Sequence, residues 1–307
     1  MVITKIFGGL GNQMFQYSFG KKVSSVLGVD QKLEVSGCKS LDPEHPREFS
    51  LEPFANIEIN FASAIEVASI KKLSKLSNKP FFNKILGNKF RYVSGSDGMG
   101  ALESNFDTDW FDNIAQFKHL FISGYWHDVN YIKDIRDDLR RDFSLSFTVD
   151  QDIKVKKKID LASYNSVSLH VRRGDYVSHT SSNANLGVCT IDYYKKAIKI
   201  ITCKFPEATF FIFSDDIDWA KENILPLISS NCNAVFVDHN SQQNGYIDMM
   251  LIKACNNHII ANSTFSWWGA WLSRRSNNKI IIAPNMWYSS KNNQFKPNLF
   301  PGDWVLL

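Results

Sequence analysis

Val167-Ser168-Leu169-His170-Val171-Arg172-Arg173-Gly174-Asp175-Tyr176 passes from an apolar, strand-forming run straight into two adjacent arginines. A guanidinium is always charged and offers a planar fork of donors, so a pair at the mouth of a buried strand suits a phosphate group. The other reading is a salt bridge from Arg172 or Arg173 to Asp175. From about residue 166, short apolar runs alternate with amphipathic stretches of helical length, the pattern of a parallel sheet covered by helices. The predicted strands are 167–171, 208–213, 234–237, 258–261 and 279–283, and the predicted helices 190–204 (Thr190 as N-cap), 216–224, 243–256 and 264–275. Such a sheet binds ligands beyond the carboxyl ends of its strands, which places the arginine pair where a ligand is expected.

The chain begins in the same way, with a strand over 2–7, the turn Gly8-Gly9-Leu10-Gly11 and a helix from Asn12 to about Leu27. Phe15, Phe19, Val23 and Val26 fall on one face of that helix, and Gly28 follows as its C-cap. Residues 40–115, with scattered Pro, Asn and Ser, read as irregular helices and loops. Periodicity resumes with the strand Leu120-Phe121-Ile122-Ser123-Gly124-Tyr125 and a helix from Asp128 to about Phe143, before a charged helix and connector over 144–165. The predicted fold is α/β, two open α/β domains with a cleft between them. Residues 1–160 form the N-terminal α/β domain, 161–285 the C-terminal one, and 286–307 a tail packing back on the N-terminal domain.

The 307 residues, 44% hydrophobic and 21% charged, suffice for two cores. A balance of 35 basic against 31 acidic residues, net +4, is too mild to argue for nucleic acid. Lys71-Lys72 to Lys75 and Lys154 to Lys158 read as solvated helix faces, with peripheral membrane contact as their alternative use. Cysteines 38, 189, 203, 232 and 255 show no C-x-x-C spacing, against a disulfide framework or zinc site. The opening apolar run is too short for a signal peptide, and nowhere do eighteen apolar residues stand together, so a soluble, cytoplasmic protein is expected.

Three other stretches could carry chemistry. Gly9-Leu10-Gly11, with Glu34 ending a second strand, imitates the fingerprint of an NAD(P)-dependent oxidoreductase, but Met14 stands where the third glycine belongs. Asn12 and Gln13 at that helix start offer amide groups suited to hydroxyls. In Ile259-Ile260-Ala261-Asn262-Ser263-Thr264-Phe265-Ser266-Trp267-Trp268-Gly269-Ala270-Trp271 a buried strand enters a helix through small polar residues. The open helix start, with the hydroxyls of Ser263, Thr264 and Ser266, favours an anion. At helical spacing Trp267, Trp268 and Trp271 read as core rather than sugar platforms. Asp107-Thr108-Asp109 and Asp216-Ile217-Asp218 could hold magnesium. The arginines can neutralise a diphosphate without it, and Asp216 suits the N-cap of the next helix, with Asp215 at the strand end as a ligand contact.

Gly8-Gly9-Leu10-Gly11-Asn12-Gln13-Met14-Phe15-Gln16-Tyr17, His170-Val171-Arg172-Arg173-Gly174-Asp175-Tyr176 and Ala261 to Trp271, in this order and spacing, resemble the bacterial α-1,2-fucosyltransferases of glycosyltransferase family eleven. Gly187-Val188-Cys189-Thr190 with Tyr193-Tyr194, and Ser214-Asp215-Asp216, are similar too, so the resemblance spans nearly the whole chain. It implies a GT-B-like fold of two Rossmann-type domains facing across a cleft, GDP-β-L-fucose as donor bound by the C-terminal domain, and a galactose 2-hydroxyl as acceptor on the N-terminal side. It also implies inversion without an essential metal or cofactor, in O-antigen or related glycan synthesis, the acceptor being a galactose-containing glycan, lipid-linked or free. Carried over, His170, Arg172 and Arg173 contact the nucleotide and its diphosphate. Asn262, Ser263, Thr264 and Ser266 form the phosphate turn, and Asp248 resembles a nucleotide-contacting aspartate. Asn12 and Gln13 meet the acceptor. Asp175 either accepts the acceptor's proton or orients the arginines. A non-catalytic nucleotide- or glycan-binding module is the remaining alternative.

Overall fold

The computed structural model describes residues 1–38, 48–77, 79, 81, 89–94, 114, 116–173, 187–274, 276, 278–288 and 298–307. The chain divides into two units. Met1–Ser144 with Asn298 and Leu299 make the first, and the chain from Leu145 onward with Phe300–Leu307 makes the second.

The first unit is built on β1 (Val2–Phe7), β2 (Gln31–Gly37), β3 (Phe90–Ser94) and β4 (His119–Ser123), all parallel, in the order β2-β1-β4-β3. Between β1 and β2 runs α1 (Leu10–Leu27), whose Phe15, Phe19 and Val23 are fully buried. The helix ends as its sequence predicts: Gly28 is left-handed, with φ 61° and ψ 40°, and its N–H returns to the last turn. Within the stretch read as irregular, two regular elements appear, α2 (Ala64–Ser77) and β3. The buried face of α2 carries only Ile70, Ser74 and Ser77, too weak an apolar stripe to announce a helix. The helix expected over 128–143 breaks into two 3₁₀ turns, Val129–Tyr131 and Lys133–Ile135, before α3 (Arg136–Asp142). Ile132, at φ −129°, interrupts it, and the Asp128 carboxylate turns back to accept the Asn130 N–H at 2.8 Å.

In the second unit, α4 (Asp150–Ala162) precedes β5 (Ser166–Val171), α5 (Ile191–Lys204), β6 (Thr209–Ser214), α6 (Ile217–Asn223) and β7 (Asn233–Val237). Then come α7 (Gly245–Ala254), β8 (Asn257–Ile259), α8 (Thr264–Leu272), β9 (Ile281–Ala283) and the two-residue β10 (Val305–Leu306). The sheet is parallel, in the order β10-β9-β8-β5-β6-β7. This is doubly wound: the chain works outward from β5 in one direction, then returns to build β8, β9 and β10 on its other side. The direction reverses between β5 and β8, and there loops leave on opposite faces to open a crevice at the carboxyl ends.

Alternation along the strands divides the core into two layers. Val167, Leu169 and Val171 of β5, with Phe210 and Ile212 of β6, pack under α5 (Tyr193, Tyr194, Ala197, Ile198, Ile201), Ala220 of α6 and Ile224 just beyond it. Phe211 and Phe213 pack the other way against Val155 and Ile159 of α4 and Leu251 and Ile252 of α7. Each such side chain, fully buried, contributes about 1.5–3 kcal/mol relative to exposure. These contacts move the expected boundary at 160/161 back to Ser144/Leu145, because Val155 and Ile159 commit α4 to the second core. The tail is also divided: Asn298 and Leu299 belong to the first unit, whereas Phe300–Leu307 return to the second and add β10 beside β9.

Candidate active site

Arg172 and Arg173 leave the carboxyl end of β5 at the switch point, and both are paired. Arg172 Nη1 lies 3.1 Å from Asp215 Oδ2, while the backbone N–H of Arg173 donates to Asp215 Oδ1 at 2.8 Å. Arg173 Nε donates to Asp216 Oδ2 at 3.3 Å, and its guanidinium carbon stands 4.1 Å from the centre of the Trp219 ring. Asp216 also caps α6, its Oδ1 accepting the Trp219 N–H at 3.2 Å. Among the described residues both arginines are ion-paired, as the salt-bridge reading expects of them. The partners are the two aspartates at the end of the adjacent strand, and Asp175 lies outside the described residues. Asp215, expected to touch a ligand, is committed to the arginines.

On the other side of the switch point the chain runs from β8 through Ile260 and Ala261 to Ser263, the N-cap residue of α8. Its hydroxyl makes no capping bond. Ser266 departs from the expected phosphate contact: fully buried, it turns its hydroxyl inward on the Ser263 carbonyl at 3.4 Å. Asn262, also assigned to the donor, is 3% exposed and gives its amide hydrogens to the carbonyls of Gly187 and Trp287, at 3.3 and 3.2 Å. Its Oδ1 accepts from Cys189, whose thiol is pushed up to about 11 by burial. Asn262 ties three chain segments together behind the turn. Two tyrosines of α5 secure both strand ends: Tyr194 donates to the His170 carbonyl at 3.2 Å, and Tyr193 to that of Ile260 at 2.6 Å. Trp267, Trp268 and Trp271 are core, at most 1% exposed and in mutual ring contact.

His170 points to the α7 face, its ring 5.4 Å from that of Phe265. Burial, with the Arg172 charge adding to it, pushes its imidazole down to about 3, so it is neutral near pH 7. Asp248 sits in the first turn of α7 with its carboxyl pushed up to about 6 by burial, against the lowering effect of an Asn240 hydrogen bond at 2.7 Å. The same Asn240 amide donates to Asp152 Oδ1 at 3.0 Å, which also receives His239 Nε2 at 2.7 Å. Residues 238–240 follow β7 directly, so the strand-end rule pointed at His239 and Asn240. Asp152 carried no such signal, because a helix-face aspartate reads as solvated.

In the first unit Gln13 cannot serve as the expected acceptor contact. It is fully buried, with Nε2 donating to the carbonyls of Gly8 (2.9 Å) and Glu48 (2.7 Å) and Oε1 accepting the Ser50 N–H (2.8 Å). Asn12 is half-buried, its Oδ1 3.2 Å from His127 Nε2. Glu34 lies within β2, opposite Lys5, and its carboxylate accepts the Ser36 N–H, away from any strand end. Asp107 and Asp109 are outside the described residues. Among the described residues no group of three His, Cys, Asp or Glu side chains could hold a metal ion, and no helix is long and apolar enough to cross a membrane.

A family model described as Glycosyl transferase family 11 matches residues 1–307. The chain belongs to glycosyltransferase family 11. Similar proteins include an alpha-1,2-colitosyltransferase of Escherichia coli, 33% identical over 309 residues covering 99% of this chain and 98% of that protein. The O-antigen biosynthesis glycosyltransferase WbnK of Escherichia coli is 30% identical over 320 residues, 98% of each chain. In fold the chain is similar to Arabidopsis thaliana FUT1, solved as a variant in complex with GDP: TM-score 0.51 at 12% identity, covering 91% of this chain and 72% of that one. The architecture is accordingly α/β and GT-B-like, and the oxidoreductase reading of the glycine turn is set aside. As a family 11 glycosyltransferase the protein carries its paired arginines and the uncapped start of α8 on the two strands, β5 and β8, that border the switch point.

Proposed function

We propose that this family 11 glycosyltransferase moves L-fucose from GDP-β-L-fucose to the 2-hydroxyl of a galactose residue, with inversion, in the synthesis of an O-antigen or related glycan. The observation that carries the reading is the arginine pair at the switch point, pre-oriented by Asp215 and Asp216. As the bond from fucose C1 to the diphosphate stretches, the sugar gains oxocarbenium character and the departing phosphate gains negative charge. Fixed cations that meet this charge stabilise the transition state more than the ground state, which is what raises the rate. Asp216 engages Arg173 through Nε, so the two terminal amino groups are presented as a fork. The start of α8 beyond Ser263, whose own N–H donates to the Ala261 carbonyl at 2.8 Å, supplies backbone donors and the positive end of a helix dipole.

The acceptor oxygen attacks from the opposite face and gives up its proton. Of the two roles open to Asp175, we assign it the proton-accepting one. Buried and neutral His170 lines the nucleotide side, and Asp248 contacts the nucleotide. No metal is assigned a role. The names of the two Escherichia coli relatives support an α-1,2 linkage and an O-antigen setting. The colitosyltransferase also favours a second reading, in which the donor delivers a colitosyl group.

The test is GDP release by purified protein from GDP-fucose and from GDP-colitose against a panel of galactosides, with and without EDTA, with NMR assignment of the product linkage. Galactoside-dependent release from GDP-fucose that persists in EDTA and yields an α-1,2 product is expected. Release from GDP-colitose alone would replace the donor, and release from neither would sink the proposal.

A further inference from the structure

Val155 and Ile159 turn one side of α4 into the second core. On the opposite side Lys154, Lys157, Lys158 and Leu161, spaced i, i+3, i+4 and i+7, form one solvent-facing stripe. Among the described residues none of these three lysines makes an ion pair or a side-chain hydrogen bond. Lys156, off the stripe, is committed to Asp160, with Nζ 2.6 and 2.7 Å from the two carboxylate oxygens.

The stripe ends in apolar groups. Leu161 is 86% exposed, and Tyr164, in the turn that follows the helix, is 62% exposed. At the other end Val149, the N-cap residue, is also exposed. Single exposed apolar residues are ordinary, but these bracket three unpaired cations on one helix.

A cavity of about 550 Å³ lies between α4 and the edge strand β7. Lys154 and Lys158 line it together with Val149, Val155 and Phe236, and Asp150 is the one carboxylate on its walls. Lysine stems lie along apolar surface while their ammonium groups reach outward, so cations set beside apolar walls match a ligand with an anionic head and an apolar tail.

We propose that this face of α4 docks on an anionic phospholipid surface, Lys154, Lys157 and Lys158 meeting lipid phosphates while Leu161 and Tyr164 enter the headgroup boundary. The charge is complementary to such a surface, and basic clusters beside exposed apolar side chains are how peripheral proteins hold one. The leucine and tyrosine favour lipid over a nucleic acid, whose phosphates give a leucine nothing to bury against. No helix among the described residues is long and apolar enough to cross a membrane, and docking through α4 needs none. It is independent of the donor and acceptor chemistry.

The experiment sediments the full chain with vesicles of phosphatidylcholine alone and of phosphatidylcholine mixed in equal parts with phosphatidylglycerol. Binding to the mixed vesicles only, weakened by added salt, is expected. Each lysine near an anionic surface contributes about fivefold, so Lys154→Gln, Lys157→Gln and Lys158→Gln together should lower binding about a hundredfold. Leu161→Ser should lower it about tenfold and leave the salt dependence in place. Lys72→Gln, Lys75→Gln and Lys79→Gln together, on and just after α2, remove the same charge from other exposed positions and should change binding little. Urea unfolding midpoints near wild type report that each variant is folded. Binding is read without turnover, so its failure is separate from a failure of the glycosyl-transfer reading. No binding to the mixed vesicles, equal binding to both kinds, or equal losses from the two triple variants overturns the inference. So does a lipid-free dimer that the α4 variant dissociates, which assigns the face to a second copy of the chain.

Discussion

Asp215 Oδ2 lies 3.1 Å from Arg172 Nη1, an ion pair joining the carboxyl ends of adjacent strands β5 and β6. Its other oxygen accepts the Arg173 backbone N–H, so one carboxylate sets both the side chain of one arginine and the main chain of the next. Asp215→Asn preserves the shape and the backbone acceptor but removes the charge. Turnover should fall about 10–100-fold through misplacement of Arg172, with stability changed by about 1 kcal/mol or less because the pair is partly solvated. GDP-release kinetics and a urea titration measure the two effects.

Arg173→Lys tests the fork rather than the charge. A lysine keeps one positive charge but loses the planar Nε contact to Asp216 and the stacking on Trp219. A fall in kcat of about a hundredfold is expected, with Trp219→Leu intermediate. Full turnover in the lysine variant would show that any cation suffices.

How much of this was legible can be judged residue by residue. The strands of the second unit and the caps Thr190, Asp216 and Gly28 were readable, because buried strands are runs of Val, Ile and Phe and caps are set by local chemistry. β10 was not: two exposed residues carry no periodicity, and only pairing with β9 makes them a strand. The arginine pair was visible as a phosphate-seeking feature, but its aspartate partners come from a strand 43 residues away in sequence, a distance set by topology. Gln13, Asn262 and Ser266 were misread for one reason. A polar residue in a motif can serve a ligand or brace the backbone that serves it, and only burial separates these roles.

Gly269→Ala should destabilise the second unit. A Cβ at Gly269 would lie 2.4 Å from Ile252 Cγ2 and 3.3 Å from the Met249 carbonyl oxygen, so α8 could not approach α7 as closely. The expected cost is about 1–3 kcal/mol, measured by urea unfolding, with partial recovery on adding Ile252→Ala.

Stability should fall with acid between about pH 6.5 and 3. His127 and His170 are pushed down to about 3, and His258 well below its ordinary 6.5, chiefly by burial. The unfolded chain therefore binds more protons over this range, and their contribution, complete above 6.5, is lost as pH falls. Asp248 opposes this: its folded carboxyl is raised from 3.8 to about 6, so the folded state gains relative stability as pH falls through 6. Asp248→Asn should therefore steepen the acid loss, and His170→Gln should flatten it, in urea unfolding curves taken across pH 4–7.

The packing of α8 has an optical consequence. Trp267, Trp268 and Trp271, three of the eight tryptophans in the chain, are shielded from water and stand within 5.1–5.4 Å of one another. Excitation shared among rings so close should give blue-shifted emission and a coupled near-ultraviolet dichroism band. That emission comes from the helix whose first residue, Thr264, adjoins the proposed phosphate turn. Nucleotide arrival could then be followed by intrinsic fluorescence, without a label.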